Sequence, residues 1–145
     1  MREELDKQLC EKYPKIFVNR YKPMTETAMC WGFDHGDGWY QIIDSLCGQI
    51  QHHIDWKNRD GEKVAQVVAD QIKEKFGGLR FYYHGGDDYI SGLVSMAESW
   101  AANTCETCGA TGRMRTGGWI RTLCDKHAEE MGYALDDDTE ESVEA

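Results

Sequence analysis

Three thiols and an imidazole stand at metal-ligand spacing near the C-terminal end of this 145-residue chain. Cys105 and Cys108 form a C-x2-C pair, and fifteen residues later Cys124 and His127 form a C-x2-H pair. Each short turn presents two ligands to one ion, and a tetrahedral thiolate–imidazole set suits Zn2+. Four protein ligands close the coordination shell, whereas a catalytic zinc keeps one position open for water. The expected cofactor is therefore one structural zinc per chain. A reduced intracellular setting argues against disulfides among these cysteines.

Between the two pairs lie Gly109, Gly112, Gly117 and Gly118, which suit a knuckle and a hairpin. Cys124 and His127, three apart, share a face at the start of a short helix. The same stretch sets Arg113, Arg115, Arg121 and Lys126 against Glu106 and Asp125, a local charge of +2, with Trp119 in the hairpin. Trp and Arg are enriched in binding hot spots, and both also serve phosphate contact and base stacking. Arg113, Arg115, Trp119 and Arg121 are thus the candidate partner-binding residues. A protein partner is the first reading and nucleic acid the alternative.

Other constellations carry less. Cys30 with His35 lacks a clear third ligand, and His52 and His53 point different ways on a helix. Asp34-His35-Gly36-Asp37-Gly38 lacks the alternating acids and closing Glu of a calcium loop. His84-Gly85-Gly86-Asp87-Asp88 reads as a strand end, a turn and a helix cap, not as a His beside two carboxylates. An HNH nuclease needs a His between knuckle and helix, and 109–123 contains none. Asp60 with Gln71-Ile72-Lys73 is a thin match to a metal nuclease. No phosphate loop, dinucleotide fingerprint or nucleophile elbow is present. No catalytic set emerges, so an enzyme is not expected.

The elements that must position the metal pairs follow from periodicity. Leu5, Leu9 and Tyr13 predict a first helix that stops before Pro14. Residues 18–38 read as loop, with Asp37 as the cap of the next helix. That helix spans about Trp39 to Asp55, with Trp39, Ile42, Ile43, Leu46, Cys47, Ile50 and Ile54 on one stripe. After a polar loop, Lys57 to Lys63, a hairpin is expected, one strand ending near Lys75 and the other covering Leu79 to Tyr83. Asp87 or Asp88 then caps a helix whose stripe is Ile90, Leu93, Val94, Ala97 and Trp100. The fold class is α+β: helices packed on a small β-hairpin or sheet, with a C-terminal treble-clef or zinc-ribbon-like module. The expected divisions are an α+β body over 1–103, a zinc-binding module over 104–133, and a disordered acidic tail over 134–145.

Composition sets the outer limits. With 41% hydrophobic and 29% charged residues, the chain is an ordinary globular one. The net charge of −10 is uneven: the last twelve residues hold six acids and no base, leaving the rest at −4. That balance suits neither a sequence-blind nucleic-acid binder, which needs a basic face, nor a whole-surface DNA mimic. No apolar run approaches the roughly 20 residues of a membrane span. The opening Met1-Arg2-Glu3-Glu4-Leu5 lacks the apolar core of a signal peptide, so a cytoplasmic protein is expected.

A resemblance rests on particular strings. Gly38-Trp39-Tyr40 leading an apolar helix, Lys75-Phe76-Gly77-Gly78-Leu79-Arg80-Phe81-Tyr82, Cys108-Gly109, Gly118-Trp119, Thr122-Leu123-Cys124-Asp125 and His127-Ala128 together resemble a family of small, uncharacterised bacteriophage and prophage proteins. The resemblance covers most of residues 5–130. It implies a phage protein acting in the host cytoplasm, with a host or phage protein as partner. The resulting expectation is a non-enzymatic, zinc-stabilised interaction protein, with a host defence complex among the targets that setting suggests.

Overall fold

The computed structural model describes residues 1–135. Most of the stretch expected as an acidic tail, from residue 136 onward, lies outside the described residues. Helix α1 (Glu3–Lys12) ends just ahead of Pro14. Helix α2 (Tyr40–Lys57) turns Ile42, Ile43, Leu46, Cys47, Ile50 and Ile54 inward, as its periodicity requires. Helix α3 (Asp88–Ala101) is capped by Asp87, whose Oδ1 accepts the Ile90 N–H at 3.1 Å. No helix of the described residues is long and apolar enough to cross a membrane.

Strands β2 (Val68–Lys75) and β3 (Gly78–His84) form the expected hairpin, paired antiparallel from Val68↔His84 to Lys75↔Gly78. Its two-residue loop, Phe76-Gly77, has positive φ at both positions (53° and 81°), the conformation that matches strand twist in tight hairpins. A third strand, β1 (Phe33–Asp34), runs parallel to β2 at Phe33↔Ile72 and Asp34↔Lys73. Ala69, Ile72, Leu79 and Phe81 join α2, α3, Leu9, Ile16, Phe17 and Met29 in one apolar core.

Three expectations need correction. Residues 18–38 are not all loop: a 3-10 turn (Ala28–Trp31) and β1 lie within them. A two-residue strand is too short to show a period. Asp37 does not cap α2; it begins a 3-10 turn entered from Gly36, and its carboxylate accepts the Arg2 N–H at 2.8 Å. Trp100 is 44% exposed, and Ala101 takes its place in the buried stripe. At about 100° per residue, Ala101 falls nearer the middle of that stripe than Trp100 does.

Beyond Ala101 the chain makes a second, much smaller core from Cys105, Leu123 and Ala128, flanked by Cys124 and Tyr133. Around it stand the hairpin β4 (Arg113–Arg115) and β5 (Arg121–Leu123), and the short helix α4 (Asp125–Glu130). This segment does not hang free. The fully buried Trp39 indole donates to the Thr104 carbonyl at 2.9 Å. The Gly38 N–H donates to the Glu106 carbonyl at 2.7 Å, and the Gly36 N–H to Glu106 Oε2 at 2.9 Å. Thr122 Oγ1 donates to the Gly77 carbonyl at 2.7 Å, tying β5 to the β2–β3 turn.

The same seam buries His35. Its Nδ1–H donates to the Gly36 carbonyl at 2.7 Å, while Nε2 has no partner. Burial lowers the imidazole to a pKa of about 4, against the partial compensation of that backbone bond. The ring is therefore neutral in the fold. The unfolded chain binds its proton from near pH 6.5 downward, so stability is present above that value and is lost as pH falls toward 4. The expected loss is about 3 kcal/mol. Denaturant titrations at several pH values should show a shallower slope in His35→Phe than in the parent; equal slopes would remove this role.

Candidate metal centre

Local geometry brings all four predicted ligands together. The Gly109 N–H bonds the Cys105 carbonyl at 2.9 Å and the Cys105 N–H bonds the Ala110 carbonyl at 2.7 Å, closing the knuckle. The Glu106 N–H reaches the Thr122 carbonyl at 3.0 Å, which draws the knuckle against the end of β5. Cys124 is the N-cap of α4, and His127 follows in its first turn.

The ligand atoms of Cys105, Cys108, Cys124 and His127 lie within 4.8 Å of one another, and this cluster could hold a metal ion. Cys108 Sγ to Cys124 Sγ is 3.8 Å. His127 Nδ1 lies 3.2 Å from Cys124 Sγ and 3.7 Å from Cys105 Sγ. A tetrahedron with metal–sulfur bonds of about 2.3 Å and metal–nitrogen bonds of about 2.0 Å has S–S edges of about 3.8 Å and S–N edges of about 3.5 Å. The Cys108–Cys124 edge matches the first value, and the two S–N edges lie on either side of the second. A disulfide needs about 2.05 Å, so these sulfurs are spaced for an ion and not for each other.

The backbone favours a thiolate at one of the ligands, Cys105. Burial opposes ionisation of Cys105, yet N–H groups of Cys124, Cys108 and Thr107 aimed at its sulfur bring its pKa down to about 7. Burial and the neighbouring Cys105 and Cys124 side chains raise the Cys108 thiol above its ordinary value. Burial, reinforced by Asp6, pushes the Cys10 thiol up to about 12, and burial raises Cys47 well above its ordinary value. Neither belongs to a ligand cluster among the described residues. Among the described residues, Cys30 with His35 and His52 with His53 form no ligand cluster. His53 Nε2 instead meets Asp87 Oδ2 at 2.8 Å and stacks on Tyr89, while His84 Nδ1 meets Asp70 Oδ1 at 2.8 Å.

The four candidate contact residues of the hairpin separate into different roles. Arg115 is buried, its side chain only 4% exposed. Its Nε and Nη2 donate to the Leu123 carbonyl at 3.1 and 3.0 Å, and Nη2 donates to Asp125 Oδ1 at 2.7 Å. It braces both sides of Cys124, and it is not available to a partner. The alternation of β4 turns it inward, a detail hidden by the short strand. Arg121 faces the buried Glu106 carboxylate, with 3.6 Å from Nη2 to Oε1. Burial raises the Glu106 pKa, opposed by the Gly36 N–H and Arg121. Arg113 donates to the Leu135 carbonyl at 2.7 Å.

Trp119 is different. It is 86% exposed, yet its carbonyl accepts a hydrogen bond from the Tyr133 hydroxyl, which holds its backbone. Phe76, 69% exposed at the neighbouring β2–β3 turn, was not singled out for binding by sequence reasoning. Its signal is conformational: Phe76 is the one non-glycine residue with positive φ among those described. No protein-family model, curated protein or solved structure matches this chain.

Proposed function

We propose that this is a non-enzymatic interaction protein whose contact face is held rigid by a structural zinc. Three sulfurs and one nitrogen at near-tetrahedral spacing favour zinc or iron–sulfur chemistry. A knuckle, a hairpin and a helix around one ion is the arrangement of a treble-clef zinc module. All four positions are protein ligands, which supports a structural ion and leaves no place for an activated water.

The observation that carries the reading is the pair of exposed aromatic tips, Trp119 and Phe76. The two turns touch: a methyl on Gly77 would come within 3.0 Å of Ile120 Cγ2, and Thr122 is bonded to the Gly77 carbonyl. An aromatic residue in the left-handed region costs on the order of 1 kcal/mol where Asn or Gly would cost little. Strain of that kind at an exposed tip points to a function for the ring. Large aromatic groups on a fixed backbone lose little entropy on binding.

A protein partner is favoured over nucleic acid. Of the module's four bases, Arg115 is locked to Asp125 and Arg121 faces Glu106. The local +2 then rests on Arg113 and Lys126 alone, a small contact set for a chain of phosphates. The phage resemblance supplies the setting: the host cytoplasm, with a host or phage complex, a defence complex included, as the target.

Trp119→Ala should weaken partner binding at least about tenfold, close to 1.4 kcal/mol, with zinc content unchanged. Arg121 is unsuited to this test because removing it strands the buried Glu106 carboxylate. The partner would be captured from nuclease-treated host lysate on the parent protein and its affinity for each variant measured. Equal affinities for the parent, Trp119→Ala and Phe76→Ala would refute the reading. A steep salt dependence with binding restored by added nucleic acid would favour the alternative.

A further inference from the structure

The β2–β3 hairpin has a second face. Strand residues alternate sides. With Ile72, Leu79 and Phe81 in the core, the opposite side carries Lys73 and Lys75 from β2, and Arg80 and Tyr82 from β3. Strand β1 adds Asp34, in register with Lys73. Lys73 stands directly opposite Arg80. Facing positions on paired strands hold their Cβ atoms about 5 Å apart, and like charges there repel.

The chain has 26 acids against 16 bases, yet Lys73, Lys75 and Arg80 have no ion-pair partner among the described residues. Arg80 reaches the Leu79 carbonyl at 3.3 Å, and the Lys75 ammonium lies 5.8 Å from the centre of the Phe76 ring. The nearby acids are engaged elsewhere or stand apart. Glu74 is turned to the other side, where it accepts the Gly77 N–H at 2.7 Å, and Asp70 meets His84 at 2.8 Å. Asp34 is exposed and closes no ion pair with Lys73. A repulsive pair kept on a folded surface costs stability, and such costs mark functional surfaces.

The basic patch is short. Asp34 bounds it on one side, and Asp70 lies beyond Tyr82 and its cross-strand neighbour Gln71 at the far end. A long run of phosphates crossing it would meet those acids, on a chain that already carries −10. A short acidic stretch of protein fits instead. Side chains on one side of an extended peptide recur about every 6.6 Å, the same step that separates Lys73 from Lys75. We propose that this face receives an acidic segment of a protein partner, with its carboxylates over Lys73, Lys75 and Arg80 and an apolar side chain against Phe76. Phe76 joins the basic row to the aromatic tips, so the acidic segment presupposes the protein partner proposed for them.

Fluorescence anisotropy of a labelled Glu-rich peptide carrying one Phe, titrated with the full chain at low and at physiological salt, tests it. The parent should bind, and more weakly at the higher salt. Lys73→Glu and Arg80→Glu should each weaken binding at least about tenfold. Lys22→Glu makes the same charge change at an exposed position outside the sheet, and should leave binding within about twofold. Lys73→Gln gives up no ion pair or hydrogen bond among the described residues. Its thermal midpoint should therefore stay near the parent's while its binding weakens, which separates loss of charge from loss of fold. No binding by the parent at low salt overturns the proposal, and so does equal weakening by all three Glu variants, which reports net charge alone. Oligothymidylate bound more tightly than the peptide, and lost in Lys73→Glu, overturns it in favour of phosphates. Binding that appears only once Asp136, Asp137 and Asp138 are replaced by Asn overturns it in favour of the chain's own acids. A partner captured through Trp119 while the peptide stays unbound removes this face and leaves the proposed function standing.

Discussion

Stripping the metal with a chelator should melt residues 104–133 while α2, α3 and the β2–β3 hairpin survive. The reason is the size of the second core. Its buried apolar residues among those described are Cys105, Leu123 and Ala128, and two of these are small. A core that small leaves the segment dependent on an ion, which contributes on the order of 10 kcal/mol in sites of this kind. Amide hydrogen exchange gives the finest readout. The Gly36 and Gly38 amides lie far from the ligands in sequence, yet they donate to Glu106 inside the knuckle. They should lose protection together with the module, while Ile50 and Val94 keep theirs. Retained protection across 104–133 in metal-free protein would show that the segment folds on packing alone.

Gly38→Ala should produce the converse state, an intact metal centre detached from its seat. A Cβ at Gly38 would lie 2.1 Å from the Cys105 carbonyl oxygen and 2.6 Å from the Gly109 nitrogen. Both are backbone atoms of the knuckle, so no rotamer change relieves the clash. Overpacking typically costs about 1–3 kcal/mol. Here the movement also breaks the Gly38 bond to Glu106 and the Trp39 bond to Thr104, each worth about 1 kcal/mol. The variant should lose about 3–5 kcal/mol in denaturant titration and expose the Trp39 indole, yet still carry one metal per chain. A variant with parental stability would mean that the seam between knuckle and body yields at little cost.

These two results divide along what could be read in the sequence. The ligands were legible because each pair lies within one turn, so spacing alone brings its members together. The α2 stripe and the β2–β3 hairpin were legible because their periods extend over many residues. The docking seam was not. Gly36, Gly38 and Trp39 look like a turn and the start of a helix, and nothing local says that their N–H groups end on residues 65 to 70 positions away. Arg115 illustrates the same limit from the other side. Its residue type suggested a contact, but the three-residue strand β4 turned it inward onto Leu123 and Asp125. Trp100 sat one position from the middle of its stripe, and that offset exchanged a core residue for a surface one. Phe76 could be found only through its backbone conformation.

A closed shell of three sulfurs and one nitrogen around zinc underlies both the fold of 104–133 and the rigidity of its tips. X-ray absorption at the zinc edge, on protein purified without added chelator, tests it most directly. The expected result is one zinc per chain with three sulfur neighbours at about 2.3 Å and one nitrogen at about 2.0 Å, and loss of one sulfur from the shell in Cys108→Ser. Less than half an equivalent of zinc, or a shell completed by water oxygen in the parent protein, would contradict it.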